Sequence, residues 1–384
     1  MSVTNIPKII YAPKKAFKEI IQNPKYFGPI LIMILFIAAY SGFNYVTASK
    51  LYDEQVLPDP SEGDMWTEND AFWTSNADVS ESSDAVSGGF YGNKSIEFAI
   101  TNNTQIYMQL DDIGSINCSS PEGYQNISFR LKLDYQETIP ENATVHLISG
   151  QSGSFYRNWT DDFISLNKTI WNNLTIAIGP ESNGWIENGI NADWSSITGL
   201  RFEFAWSENA NITVLVDGLF FRGVFAPVVK DITSVMLNFV LSSFMQFTIR
   251  WVFLSLILFL VIRAFGLKTV WRPVLILVGF ILITIVIQAV ISAIAFSTLP
   301  TIYRPLELFG GTEAEFSVAF DKLMNTIWLV NQIYGYLQIV IFMWTIGLCA
   351  IAVRVLTEFA WTKSILIATV AYFASMLIQS FFGV

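Results

Sequence analysis

The stretch NISFRLKLDY, residues 126–135, decides the fold. Ile127, Phe129, Leu131, Leu133 and Tyr135 alternate with Ser128, Arg130, Lys132 and Asp134. That is the period of a strand with one face in a core and the other outside. The pattern recurs further along. Leu174, Ile176 and Ile178 alternate with Thr175 and Ala177. Phe202, Phe204 and Trp206 alternate with Glu203 and Ala205, and Ile212, Val214 and Val216 lead to Asp217. Clusters of Gly, Asn and Ser bound each run. Repeated short strands without helical periods predict an all-β, two-sheet antiparallel sandwich.

NISFRLKLDY also opens on an N-glycosylation sequon, one of nine: Asn93, Asn102, Asn117, Asn126, Asn142, Asn158, Asn167, Asn173 and Asn211. All lie between Leu51 and Arg222. Residues 47–222 carry a net charge of −17, whereas the rest of the chain carries +7. The chain therefore reads as 1–50, an amphipathic helix and first span; 51–222, an extracytoplasmic glycosylated sandwich; and 223–384, four further spans. The sandwich is expected to start with a Pro/Asp/Ser/Glu-rich linker through Asp84. Cys118 and Cys349, the two cysteines, do not suit a disulfide, so the sandwich must rely on core packing.

Outside that stretch the chain is apolar. Residues Ile6 to Gln22 predict one helix, with Ile9, Ile10, Ala16, Phe17, Ile20 and Ile21 against Lys8, Lys14, Lys15 and Lys18. It either lies on an anionic leaflet or packs on its own bundle. Asn23 reads as an N-cap, with Pro24 first in the next helix. Phe27–Val46 is uncharged and about 30 Å long at 1.5 Å per residue, enough to span. Later spans are expected near Ser243–Ile262, Pro273–Ala295, Ile327–Val353 and Ser364–Phe382, with Val224–Val240 partly interfacial. Five lysines precede the first span against Glu19, which places the N-terminus in the cytoplasm. The sequons place the sandwich outside, since N-glycans are added on that face. Arg263, Lys268, Arg272, Arg354 and Lys363 then fall inside. A net acidic loop with Arg304, Glu307, Glu313, Glu315, Asp321 and Lys322 falls outside, as does the C-terminus. The N-terminus begins amphipathic, unlike a cleavable leader.

Two resemblances emerge. YAPKKAFKEIIQNPKYF, through Pro13, Phe17, Ile20 and Pro24, resembles the opening of the Yip (Rab/Ypt-interacting protein) family domain. IFMWTIGLCAIAV, with Trp344, Gly347 and Leu348, is similar to its later half. The resemblance covers about 1–46 and 223–384, and implies a five-helix membrane-shaping or trafficking scaffold that contacts small GTPases. GNKSIEFAI (Gly92–Ile100) and Trp194–Gly223 look like the first and last strands of carbohydrate-binding-module or galactose-binding jelly rolls. There the resemblance implies that an acidic residue on the closing strand, here Asp217, binds a structural calcium. The residues themselves favour reading Asp217 as a hydrogen-bonded turn residue before Gly218.

Catalytic raw material is sparse. The one histidine, His146, sits at an outward strand position, so histidine triads and His-rich metal sites lack a member. GGFYGNKS (Gly88–Ser95) has Asn93 where a phosphate-binding loop needs Lys. QSGS around Ser152 lacks a nucleophile elbow's second glycine. No basic patch with interleaved aromatics suggests nucleic acid. Trp185, in a Gly/Asn/Glu loop, is either a sugar-stacking residue or a loop anchor, while Trp206 reads as buried. Arg250 is the charge set deep in a span, with Gln246 one turn away. Thr284, Gln288 and Ser292 form one polar stripe, and Asn331, Gly335, Gln338 and Thr345 another. Such stripes glue helices together.

These features predict a non-enzymatic, polytopic membrane scaffold whose sandwich serves recognition or assembly. The partners expected are the bilayer, further copies or a surface protein, and a glycan. Dense sequons without disulfides suit an archaeal cell membrane. A glycan-binding receptor and a transporter or channel subunit are the rival functions.

Overall fold

The computed structural model describes residues 5–119, 121–135, 140–150, 153–266 and 269–381. Ser152, Lys268, Phe382 and the C-terminal residue lie outside the described residues, as do the side chains of Asp112 and Tyr135. The chain divides into two compact units. One comprises Tyr52–Ala226 and Tyr303–Met324; the other comprises Met1–Leu51, Pro227–Ile302 and Asn325–Val384.

The first unit is a large antiparallel β-structure. Its strands are β1 (Leu51–Leu57), β2 (Trp73–Ser75), β3 (Asp78–Ser82), β4 (Ser95–Ile116), β5 (Tyr124–Tyr135), β6 (Asn142–Ser149), β7 (Gly153–Asn158), β8 (Asn172–Ala177), β9 (Ile186–Gly189), β10 (Ile197–Pro227) and β11 (Ile302–Arg304). Strands β4 and β10 form the spine. Ile197–Ala205 pairs with Gln105–Ile116, and Ile212–Val216 pairs with Ile96–Ile100. The register shifts between Ala205 and Ile212, and Asn102 takes φ 53°. Both irregularities fall at the middle of the spine. On one side of them β4 and β10 join β2, β6, β7 and β9; on the other they join β3, β5 and β8. β1 lies beside β10, and β11 beside β1.

The two halves of the spine share one core. Phe129 of β5 meets Phe202 of β10 at 4.7 Å between ring centroids, and Trp159 touches both. Ile127, Phe129, Leu131, Leu133, Phe202, Phe204, Val214 and Val216 are fully buried, and Trp206 is buried with them. Fully burying each such side chain contributes about 1.5–3 kcal/mol.

Four readings change in this unit. The supposed linker through Asp84 is structured: Trp66 and Trp73 sit in the core, and the Trp73 indole N–H donates to the Trp66 carbonyl at 2.7 Å. Two large aromatic side chains outweigh the polar composition around them. The outward face of β5 is covered too, since Ser128 and Arg130 are buried. Over it lies a second small core of Val56, Val86, Tyr91, Phe220 and Leu306. Next, part of the predicted acidic loop belongs to this unit as β11, α8 (Glu307–Gly310) and the start of α9 (Glu313–Thr357). His146 is half-buried rather than exposed, stacked beside Tyr156 at 5.8 Å.

The second unit is helical. It contains α1 (Asn5–Tyr11), α2 (Pro13–Gln22), α3 (Phe27–Ala48), α5 (Ile232–Ala264), α6 (Trp271–Ile281), α7 (Ile283–Ser297), most of α9 and α10 (Trp361–Ser380); α4 (Thr160–Ile164) belongs to the β unit. Five helical stretches are long and apolar enough to cross a membrane: Phe27–Ala48, Ile232–Ala264, Trp271–Ser297, Glu313–Thr357 and Trp361–Ser380. Gly28 and Gly279 permit the closest approaches, because a Cβ on Gly28 would stand 2.0 Å from the Phe280 ring and one on Gly279 would stand 2.6 Å from Pro29. Small residues let helices approach this closely.

The single helix predicted over 6–22 is broken at Ala12, because Pro13 disfavours helical backbone in the residue before it. Of the two expectations for this segment, packing on the bundle is the one observed. Ile9, Ala16, Phe17 and Ile20 are buried in the helical core, and Lys14, Lys15 and Lys18 point out. Asn23 closes α2 instead of capping α3, again because a proline follows it. Val224–Pro227 ends β10, and Asp231 caps α5 by accepting the Thr233 N–H at 3.0 Å. The third span is interrupted at Leu282, where the Thr284 hydroxyl donates to the Ile281 carbonyl at 3.2 Å.

Candidate functional site

Asp217 sits where β10 turns at Gly218. Gly218 takes φ 56°, and a Cβ there would stand 2.7 Å from the Arg130 guanidinium, so glycine alone suits the position. Asp217 accepts the Gly218 N–H at 2.7 Å, as the turn reading expects, and the Val86 N–H at 2.6 Å. It also faces a second acid that the sequence did not single out. Asp64 accepts the Gly92 N–H at 3.0 Å, and Thr67 Oγ1 lies 3.1 Å from Asp64 and 3.4 Å from Asp217. Both carboxyls are essentially excluded from solvent. Burial, with the Asp64 carboxyl adding to it, pushes the Asp217 pKa up to about 8. Such a pair is stable only with a shared proton or a cation between its members. Two carboxylates and a hydroxyl suit a hard cation in kind, though calcium takes 6–8 oxygens. Among the described residues, no group of three or more His, Cys, Asp or Glu is placed to hold a metal ion.

Two arginines fasten 303–324 within the β unit. Arg222 donates from Nε and Nη2 to Glu54 at 2.7 and 2.6 Å, and from Nη1 to Glu307 at 2.8 Å. Arg130 donates to both Glu315 oxygens at 2.7 and 2.9 Å and to the Tyr91 hydroxyl at 2.7 Å, with its guanidinium 3.9 Å from the Tyr91 ring centre. Glu315 and Thr312 form a capping box at the start of α9: Thr312 N–H donates to Glu315 at 3.0 Å, and Glu315 N–H donates to Thr312 Oγ1 at 3.4 Å. Burial works against the Glu315 charge, yet the Thr312 N–H and Arg130 hold its pKa below the ordinary value. The T-x-x-E spacing was present in the sequence as a signal for this cap.

Of the nine sequon asparagines, eight expose their side chains and Asn126 is half-buried. Asn158 Nδ2 donates to Asn142 Oδ1 at 3.0 Å on the neighbouring strand, and Asn173 Nδ2 donates to Glu315 at 3.0 Å. Trp185 is half-buried; its indole N–H donates to the Ala177 carbonyl at 2.8 Å, and its ring meets Trp194 edge-on at 5.6 Å. Ala177 also borders a cavity of about 310 Å³, lined by Cys118, Gln125, Asn126, Glu181 and Ser182 among others but not by Trp185 itself. Burial raises the Cys118 thiol to about 12, so it stays protonated at neutral pH.

The polar residues of the helical unit serve two purposes. Thr284 and Thr345 share a hydroxyl hydrogen bond at 2.8 Å, and Ser41 and Ser243 share another at 3.1 Å. Both join neighbouring helices. Gln288 and Ser292 of one stripe and Gln338 of the other converge on Arg250, whereas Asn331 and Gly335 do not line the cavity there. Arg250, Gln246, Gln288, Ser292 and Gln338 line a cavity of about 140 Å³ that Tyr40 and Tyr334 also border. Gln246 Nε2 donates to the Tyr40 hydroxyl at 3.4 Å. Arg250 Nε, Gln246 Oε1 and Ser292 Oγ are buried without a hydrogen-bond partner among the described residues. An arginine centred in a span costs about 2.5–3.5 kcal/mol on insertion scales, so its surroundings require an account.

No protein-family model matches the chain, and no curated protein matches it. The Yip-type resemblance therefore gains no support from either comparison. Solved structures similar to part of the chain include a study of carbohydrate-binding modules from the β-sandwich superfamily, at 13% identity and TM-score 0.28 over 40% of this chain; the chain spans 57% of that structure's length. The family 11 carbohydrate-binding module of the cellulosomal cellulase Lic26A-Cel5E of Clostridium thermocellum is 16% identical, with TM-score 0.28 over 44% of this chain and 95% of that one. A module specific for non-crystalline cellulose, CBM28, is 11% identical, with TM-score 0.28 over 45% and 99%.

Proposed function

We propose that the chain is a non-enzymatic, polytopic membrane protein that displays a glycosylated jelly-roll sandwich outside the cell as a recognition or assembly module. The observation that carries this reading is segregation. Every sequon falls in the β unit, with its asparagine exposed in eight of nine cases, while helices long and apolar enough to span a membrane make up the other unit. A glycan acceptor must be reachable by the transferase, and a helix that spans must satisfy its backbone internally. The lysines before α3 support a cytoplasmic N-terminus. Free, buried Cys118 and Cys349 support a host surface that does without disulfides, as in archaea. Asp64, Asp217 and Thr67 would hold a structural calcium, and a shared proton is the alternative.

Peptide mass spectrometry on Asn142 and Asn173 from the native membrane tests the reading. Glycans there support it; bare asparagines, protected from protease in intact cells, would sink it. The cavity of about 310 Å³ bordered by Ala177, whose carbonyl holds the Trp185 indole, favours a second reading, a glycan-binding receptor. A glycan array probed with the full chain in detergent decides that one, because 303–324 completes the β unit and a fragment ending at residue 222 would lack it.

A further inference from the structure

The cavity around Arg250 has the wrong chemistry for simple helix glue. Gluing hydroxyls find each other, as Thr284 and Thr345 do. Around Arg250 three buried polar atoms face no partner among the described residues, and Ser292 is 2% exposed. No Asp or Glu occurs within 27–48, 232–264, 271–297, 325–357 or 361–380. The guanidinium therefore has no counter-charge in the spans. Side chains able to donate reach it from two other helices, Gln288 and Ser292 on α7 and Gln338 on α9, while Gln246 on its own α5 gives its amide N–H to Tyr40. A positive charge ringed by carboxamides and hydroxyls is complementary to a small oxyanion. Donors arriving from several directions suit a tetrahedral phosphate better than a planar carboxylate.

The surroundings of the cavity point to the source. Gln338 is exposed, and its neighbours Tyr336, Ile339 and Val340 are exposed at 67%, 61% and 60%. The cavity thus reaches the bundle surface on α9 beside exposed Ile339 and Val340, with Asn331 of the same stripe exposed two turns earlier in the helix. Gln288 lies about nine residues before the end of α7, roughly 13 Å at 1.5 Å per residue. That depth is within reach of headgroups, because an intramembrane arginine draws phosphates and water inward. We propose that the cavity binds one phosphate-ester headgroup of an anionic lipid, entering sideways past Gln338 to pair with Arg250.

The test uses the full chain in nanodiscs, followed by native mass spectrometry. In discs of phosphatidylglycerol mixed into phosphatidylcholine, the wild type should retain one phosphatidylglycerol per chain under activation that strips the rest. Arg250→Gln should retain about tenfold less, the loss expected for one charge-assisted hydrogen bond. Arg250→Lys should keep part of the binding. Gln338→Leu, at an exposed position, provides a second variant should Arg250→Gln fail to fold, and it should also weaken retention. A second arm titrates inorganic phosphate in discs of phosphatidylcholine alone. Stabilisation there that vanishes in Arg250→Gln, without retained phosphatidylglycerol in the first arm, assigns the cavity to a free anion and overturns the lipid. Equal retention by wild type and folded variants, with no response to phosphate, leaves a water-filled cavity and overturns the proposal entirely.

Discussion

The β unit and the helical unit handle a buried guanidinium in opposite ways. In the β unit, Arg130 and Arg222 are each met by carboxylates, Glu315 for the first and Glu54 with Glu307 for the second. In the helical unit Arg250 is met by glutamines and a serine, with its Nε unpaired among the described residues. The difference shows what each charge does. A guanidinium with its own carboxylates is committed to holding chain segments together. One surrounded by neutral donors keeps its charge available to something the chain does not supply.

Removing a committed arginine should cost most. Arg222→Met strands two half-buried carboxylates, so a loss of about 3–5 kcal/mol is expected. Chemical denaturation of the purified protein would measure it, and proteolysis should speed up within 303–324. If Arg222→Met unfolds like the wild type, the clamp is surface decoration and the contrast with Arg250 collapses.

The next effect is a pH dependence. The Asp217 pKa is raised on folding by burial beside Asp64, to about 8 from 3.8. The folded state therefore holds a proton that the unfolded state releases. This contribution to stability is fully present below pH 4 and is lost as pH rises through about 8. In chelator, thermal stability should fall between pH 5 and 8. If calcium replaces the proton, millimolar calcium should restore stability at pH 8 and do little at pH 5. Asp217→Asn should flatten the profile. A flat wild-type profile in chelator would remove the shared proton from the account.

Smaller effects sharpen the comparison. Thr312→Ala removes the cap at the start of α9 and should cost about 1 kcal/mol. Thr284→Val removes an interhelical hydroxyl bond and should cost about 0.6 kcal/mol, the average for such bonds in membrane helices. Unfolding in mixed micelles would resolve the second. A value several times larger would mean that the stripe organises the Arg250 cavity as well as joining α7 to α9.

The strands and spans were readable because each is a local property. Alternation in Ile127–Leu133 needs only consecutive residues, and a span needs only length and apolarity. The pairing of Arg130 with Glu315 joins residues 185 apart, and that of Arg222 with Glu54 joins residues 168 apart. No local pattern displays such a pairing. For the same reason Arg130 read as a solvent-facing position although Tyr91 and Glu315 cover it. Asp64 stood in what read as a linker, and its pairing with Asp217 depends on β10 turning at Gly218. Arg250, Gln288 and Gln338 were each visible as intramembrane polar residues; only helix packing brings them to one cavity. Trp185 was visible as a loop tryptophan, and the hydrogen bond to Ala177 that orients it was not.

The inclusion of Tyr303–Met324 in the β unit sets a parity rule. A single folded body cannot have parts on both sides of a bilayer, so the chain must cross an even number of times between Pro227 and Ile302. Two helical stretches there are long and apolar enough to cross, α5 and the α6–α7 pair. The rule also orders biosynthesis. On the proposed topology, Asn142 and Asn173 would reach the far side while Glu307 and Glu315 are still unsynthesised. Until the third span is made, Arg130 waits for Glu315, while Arg222, already able to pair with Glu54, waits for Glu307; on the proposed topology Asn173 would be open to the transferase before Glu315 arrives to engage it. On that topology, glycan addition and final closure of the β unit would be separated in time by the insertion of two helices.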